Sequence, residues 1–213
     1  MHCLIHANPW LEWQSRYSAA LQQGLVRAGH NATITHDPYL HGELSILLGP
    51  HFAKKYHPER CIFIDRAFWG DPNAVSMYWM ENGNKIYHWH GRGGRTHPEL
   101  KETKHGTRTV VLNDFDEQFN EPNATVRHHP ARVPCDETLQ DCLGRHDVAI
   151  GGRSTALVEA FIQGLQVESR VHNGPVPTGI NREYWIRSLS WHNWGIDEIA
   201  CGDLWNYWFS VLV

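Results

Sequence analysis

The sequence predicts an α/β fold carried by two small units, with a β-hairpin inserted in the first and helices at the C-terminal end. Three observations predict it. Residues 3–35 run strand, helix, strand. Residues 147–164 run strand, tight Gly/Ser/Thr turn, helix. Between them, two apolar runs flank Glu81-Asn82-Gly83-Asn84, a turn of residues suited to positive φ.

The elements follow in order. Cys3-Leu4-Ile5-His6 is a short apolar run and predicts the first strand. Trp13, Tyr17, Ala20, Leu21, Gly24 and Leu25 recur at three and four residues, which is one face of a helix ending at Gly29-His30. Residues 32–35 predict the next strand, residues 44–48 another, and Cys61-Ile62-Phe63-Ile64 a fourth, followed at once by Asp65. Residues 75–80 and 85–89 form the hairpin arms. Residues 91–105 are polar, rich in Gly and His, and predict a mobile loop dividing the halves. Strands resume at 110–112, 124–128 and 148–150, with a short helix around Thr138 to Leu143 and a last strand within 165–171. Two tail helices are expected, over residues 182–189 and 196–209. The tail carries Trp185, Trp191, Trp194, Trp205 and Trp208, which predict packing of these helices back on the body. The expected division is residues 1–108, 109–180 and 181–213.

Composition narrows the function. A net charge of −4 with neutral His argues against a general nucleic-acid coat. The five Cys are widely spaced with no Cys-x-x-Cys, which fits reduced thiols and a cytoplasmic location. No signal peptide or apolar run long enough to span a membrane is expected.

The most informative segment is residues 147–164. Gly151-Gly152 permits close approach and unusual dihedrals, and Ser154 or Thr155 caps the helix that follows. Backbone N–H groups and the helix dipole there favour an anion such as a phosphate. Plain capping with no ligand explains the same residues. Arg127-His128-His129-Pro130 ends the preceding strand and is expected to open on the same sheet edge.

With those residues in view, the order of features resembles the nucleotide-sugar glycosyltransferases of the two-Rossmann-domain type, GT-B. Residues 19–30, Ala-Ala-Leu-Gln-Gln-Gly-Leu-Val-Arg-Ala-Gly-His, look like part of their amino-terminal unit. His129-Pro130 resembles the His-Pro pair of the sialyl- and Kdo-transferring branches, and Ser154-Thr155 their Ser-Ser/Thr pair. Glu159 resembles a Glu that holds donor ribose hydroxyls. The tail around Arg182-Glu183-Tyr184-Trp185 and Trp194-Gly195-Ile196-Asp197 looks like a segment of glycosyltransferase-like proteins from phage and capsule loci.

The resemblance implies two Rossmann-like domains facing a cleft, the first on the acceptor side and the second holding a UDP- or CMP-sugar donor. It implies a metal-independent transferase with no resident cofactor. Donor contacts would come from Arg127, His129, Gly152, Arg153, Ser154, Thr155 and Glu159. Catalysis would involve His129 together with an acceptor base, first Asp65, then His90, then His6. The acceptor would be a hydroxyl of a glycan, of a lipid-linked acceptor or of a modified DNA base, and for DNA the residues Arg92, Arg95, Lys101, Lys104 and Arg108 form a modest basic cluster. The competing readings are a non-catalytic nucleotide-sugar or nucleic-acid binding module and an epimerase-like protein. A zinc site on His88, His90, His97 and His105 is a weaker reading, since the spacing matches no standard motif.

Overall fold

The computed structural model describes residues 1–49, 60–67, 69, 74–81, 84–87, 94–114, 117–130 and 132–212. In chain order its elements are β1 (His2–His6), α1 (Glu12–Arg27), β2 (Asn31–Thr35), β3 (Leu44–Leu48), β4 (Arg60–Arg66), β5 (Ala74–Glu81) and β6 (Asn84–Ile86). There follow β7 (Thr109–Leu112), β8 (Thr125–Arg127), α2 (Leu139–Arg145), β9 (Val148–Gly151), α3 (Thr155–Ile162) and β10 (Gln166–Ser169). The tail holds α4 (Arg182–Ser190), β11 (Asn193–Gly195), α5 (Ile196–Cys201) and α6 (Asp203–Leu212). The fold is mixed α/β with mostly parallel sheets, as the strand–helix alternation predicts.

The chain forms two units. Unit 1 is Met1–Tyr87 with Trp191–Val213, and unit 2 is His88–Ser190. The divisions therefore differ from the expected 108 and 180. The tail is itself split, with α4 in unit 2 and everything after it in unit 1.

The sheet of unit 1 has the order β11-β5-β4-β3-β1-β2, with β6 also on β5. Strands β2, β1, β3 and β4 are parallel, while β5 and its neighbours are antiparallel. All five residues of β3 are buried, Ser45 included, which explains its near-continuous apolar run. Helix α1 buries Tyr17, Ala20, Leu21, Gly24 and Leu25. It ends in a Schellman motif: Gly29 adopts φ 84°, His30 N–H donates to Leu25 O, and Gly29 N–H donates to Val26 O. Gly24 lets α5 approach, because a Cβ there would lie 1.9 Å from Ile199 O.

Trp194, Trp205 and Trp208 join the core formed by α1 and the strands. Each buried indole removes about 150–250 Å² from water, roughly 4–6 kcal/mol by area. Trp185 is buried in unit 2 instead, with its ring 4.8 Å from that of Phe161. Packing is thus the role of these four residues. The single helix expected over 196–209 is broken at Gly202, whose φ of 98° ends α5. The three-residue strand β11 had no periodic signal to announce it.

Unit 2 is a parallel sheet of order β10-β9-β7-β8. The stretch expected to be a loop has no regular structure over residues 94–108, and part of it is hydrogen-bonded to the rest of unit 2. Lys101 N–H donates to Ile162 O and Lys104 N–H to Gly164 O. Arg182 donates to Lys101 O and Thr103 Oγ1. Gly164, with φ 87°, leaves room for this strap: a Cβ there would lie 2.0 Å from Glu102 O. Lys101, Thr103 and Lys104 thus have partners inside unit 2 that local sequence does not reveal.

Candidate anion-binding site

In unit 2 the strand order places β7, the first strand, between β8 and β9. The chain leaves β7 for one neighbour and later returns to add the other. That is a topological switch point, where open α/β sheets leave a crevice at the carboxyl ends of the strands. In this sheet that position falls between the segment after Leu112 and the turn after Gly151. Register sets Arg127, Leu112, Gly151 and Ser169 in one row across the sheet.

The turn is built for close approach. A Cβ on Gly151 would lie 2.8 Å from Leu112 O, and one on Gly152 would lie 1.8 Å from Glu117 Oε2. Neither glycine has positive φ, so the expected unusual dihedrals are replaced by a steric requirement. Ser154 is the N-cap of α3, its Oγ accepting from Ala156 N–H at 3.2 Å. Thr155 is exposed as the first helical residue. No acidic residue lies in the first turn of α3, which leaves the positive end of the helix dipole uncompensated by that turn.

Glu117 fills the crevice side of the turn. Its Oε2 accepts from the Arg153 backbone N–H at 2.7 Å, and its Oε1 lies 3.3 Å from Arg153 Nη1. The Glu117 side chain is 17% exposed. Asn113 shapes the segment that carries it: Asn113 Nδ2 donates to Phe119 O, and Asn113 Oδ1 accepts from Phe119 N–H. The same β7–β8 connection places Glu121 Oε2 at 2.9 Å from Arg170 Nη2, just beyond β10. Two carboxylates of one connection thus meet two arginines along the carboxyl edge.

Arg127 and His129 stand on this edge at the end of β8, two strands from β9. Strand spacing puts the Arg127 and Gly151 backbones about 10 Å apart. Arg127 turns toward the following loop, donating to Cys135 Sγ and Glu137 O, each at 2.9 Å. His129 is exposed, and its carbonyl accepts from Arg132 N–H and Val133 N–H. Glu159 sits one turn into α3, where its Oε1 accepts from Gln140 and Gln163. The structure therefore gathers Gly152, Arg153 and Ser154 into one turn, and sets Glu159 apart on the side facing α2.

The acceptor-side candidates belong to unit 1. Asp65 lies near the end of β4, with Oδ2 3.4 Å from Tyr78 Oη and 3.7 Å from Lys85 Nζ. Burial, and then the Asp65 charge, push the Tyr78 hydroxyl well above its ordinary pKa. Lys85 Nζ also sits 4.5 Å over the Tyr78 ring. His6 is 1% exposed within β1, so it offers no accessible base. His90 lies outside the described residues, as do His88 and Arg92. Among the described residues, no group of three or more His, Cys, Asp or Glu is placed to hold a metal ion.

Of the basic cluster, Arg108 and Lys104 lie at the amino-terminal edge of the unit 2 sheet, and Arg92 lies outside the described residues. Arg108 precedes β7 and forks onto Asp147 with Nε at 3.0 Å and Nη2 at 3.2 Å. Those bonds hold the Asp147 carboxyl below its usual range. Lys104 Nζ donates to Leu143, Gly144 and His146 carbonyls, and Arg95 donates to Ser190 O. These bonds commit Arg108, Lys104 and Arg95 to contacts within unit 2.

Sequence reasoning missed Glu117, Asn113, Glu121 and Arg170. Glu117 and Arg153 are 36 residues apart, and no local pattern links a lone loop carboxylate to a turn that far along. Comparison with protein-family models, with curated proteins and with solved structures gives no match to the chain.

Proposed function

We infer that the β9–α3 turn binds the phosphate of a nucleotide sugar, and that the chain is a metal-independent glycosyltransferase acting on a hydroxyl acceptor. The observation that carries this reading is the switch-point turn itself. It combines two glycines that must lack a Cβ, an arginine donating to an anion through backbone and side chain, and a capped helix. A helix N-terminus stabilises an exposed anion by about 0.3–1 kcal/mol. A hydrogen bond to a charged group contributes about 1.5–3 kcal/mol. Arg153 is therefore the dominant donor and the helix the lesser one.

In this reading the anomeric carbon loses its bond to the donor phosphate as the acceptor oxygen bonds to it. Arg153 and the turn take up the negative charge of the leaving nucleotide. Asp65 accepts the acceptor proton, and His129 assists departure from the end of β8. The two-domain GT-B architecture is part of the same proposal.

A second reading is a nucleotide-binding module without turnover. It is favoured by the commitment of Arg127 to Cys135 and Glu137 and by the engagement of Asp65 with Tyr78 and Lys85. Incubation with UDP-, CMP- and GDP-sugars, with and without glycan and hydroxymethylated DNA acceptors, separates the two. Acceptor-dependent release of nucleotide, lost in Asp65→Asn, supports the transferase. Saturable binding with no release in any combination leaves the module. No binding of any nucleotide refutes both.

A further inference from the structure

The position of Glu117 goes further than the turn alone. Its carboxylate occupies the place where the proposed phosphate would meet Arg153. One oxygen takes the backbone N–H at 2.7 Å, the other faces the guanidinium, and the pair rests against the bare Cα of Gly152. One N–H does not serve two anions at hydrogen-bond distance, and two negative groups in one crevice repel each other. Glu121 on Arg170 repeats the arrangement from the same connection. The cationic groups that a phosphate would use at β9 and β10 are thus already neutralised by carboxylates of residues 113–124.

We propose that Glu117 is an internal competitor for the anion site, so that a nucleotide phosphate binds by displacing its carboxylate from Arg153. This rests on the reading that the β9–α3 turn binds phosphate. The consequence is a self-inhibited site. Apparent affinity equals intrinsic affinity multiplied by the fraction of molecules in which Glu117 has left the turn. Removing the carboxylate raises that fraction without adding any ligand contact. The effect is confined to anionic ligands, because a neutral nucleoside does not compete for Arg153.

The alternative role for Glu117 is support: the carboxylate orients Arg153 for the ligand. The two roles give opposite signs. Calorimetric titration with inorganic pyrophosphate, UDP and uridine, on wild type, Glu117→Gln and Glu117→Ala, reads that sign. Glu117→Gln keeps the side-chain volume should the alanine variant not fold, and melting curves verify folding. Displacement gives pyrophosphate and UDP affinities at least about tenfold higher in the variants, with uridine unchanged, and adding Arg153→Ala to the Glu117→Gln variant abolishes the gain. Unchanged or weaker anion binding in the variants, with wild-type binding intact, overturns the proposal and leaves the phosphate-site reading standing. Absence of pyrophosphate and UDP binding in wild type and variants alike removes both.

Discussion

The Glu117 carboxylate receives the Arg153 backbone N–H at 2.7 Å and lies 3.3 Å from its guanidinium, bridging the ends of β7 and β9. The proposed anion site thus already holds a carboxylate. Its stability and its ligand affinity become separable quantities, and substitutions in the turn distinguish them.

Ser154 tests the separation. Its Oγ caps α3 from a position 9% exposed. Ser154→Ala removes the cap and costs about 1 kcal/mol in urea denaturation. Ser154→Asp keeps the cap and stays within about 0.5 kcal/mol of wild type. It also puts a carboxylate beside the phosphate position, so UDP affinity falls at least about tenfold in calorimetry. Equal UDP affinity in Ser154→Asp would place the ligand elsewhere.

Gly24 sets propensity against packing. Ala in a helix interior is better than Gly by about 0.8–1 kcal/mol. At this position the added Cβ meets Ile199 O at 1.9 Å, and overpacking a tight contact costs about 1–3 kcal/mol. Packing prevails, and Gly24→Ala lowers the urea midpoint by about 1 kcal/mol equivalent with unchanged slope. A raised midpoint would mean that α1 and α5 separate at little cost.

How much was legible in the sequence follows from the range of each signal. β1, α1, β3 and the β9–α3 unit announce themselves through local periodicity and caps, and the structure has them within a few residues of expectation. The tryptophans of the tail read correctly as packing residues, but their assignment to two different units did not, because 190 and 191 carry no break in composition. The break at Gly202 hides in an apolar run. The polar strap at 101–108 looked loose because its partners Ile162, Gly164 and Arg182 lie far along the chain. In the site, the glycines and the cap were local and legible. Glu117 was not, since a long-range polar contact leaves no periodic trace.

Asp147 gives a pH test. Arg108 holds its carboxyl below the usual 3.8 through the side-chain fork and a backbone N–H. A depressed folded-state pKa stabilises the protein above the unfolded-state value, and the contribution is lost as pH falls through the folded-state value. Wild type therefore exceeds Asp147→Asn in urea midpoint at pH 7. The gap narrows from about pH 4 downward, where the unfolded-state carboxyl begins to take up protons. A gap constant from about pH 7 to about pH 2.5 would show that the fork contributes nothing through charge.

Lys104 is the second anchor of the same edge. Its ammonium donates to Leu143, Gly144 and His146 carbonyls at 2.9, 3.3 and 2.7 Å, closing the C-terminal end of α2. Leu143 O also accepts the His146 N–H, and the ammonium adds donors at the end of the helix where no further turn supplies them. Desolvation at this spot pulls the Lys104 pKa below its ordinary value, partly offset by the Asp147 charge. Lys104→Met keeps the apolar stem and removes the donors, at an expected loss of about 1.5–3 kcal/mol. Lys104→Arg does not restore it, because a planar fork cannot converge on three carbonyls as an ammonium does. Hydrogen-exchange mass spectrometry is the direct measurement. Exchange in residues 101–108 and in α2 rises together in both variants if Lys104 joins them. Faster exchange in α2 alone would mean that Arg182 and the Gly164 contact hold the strap by themselves.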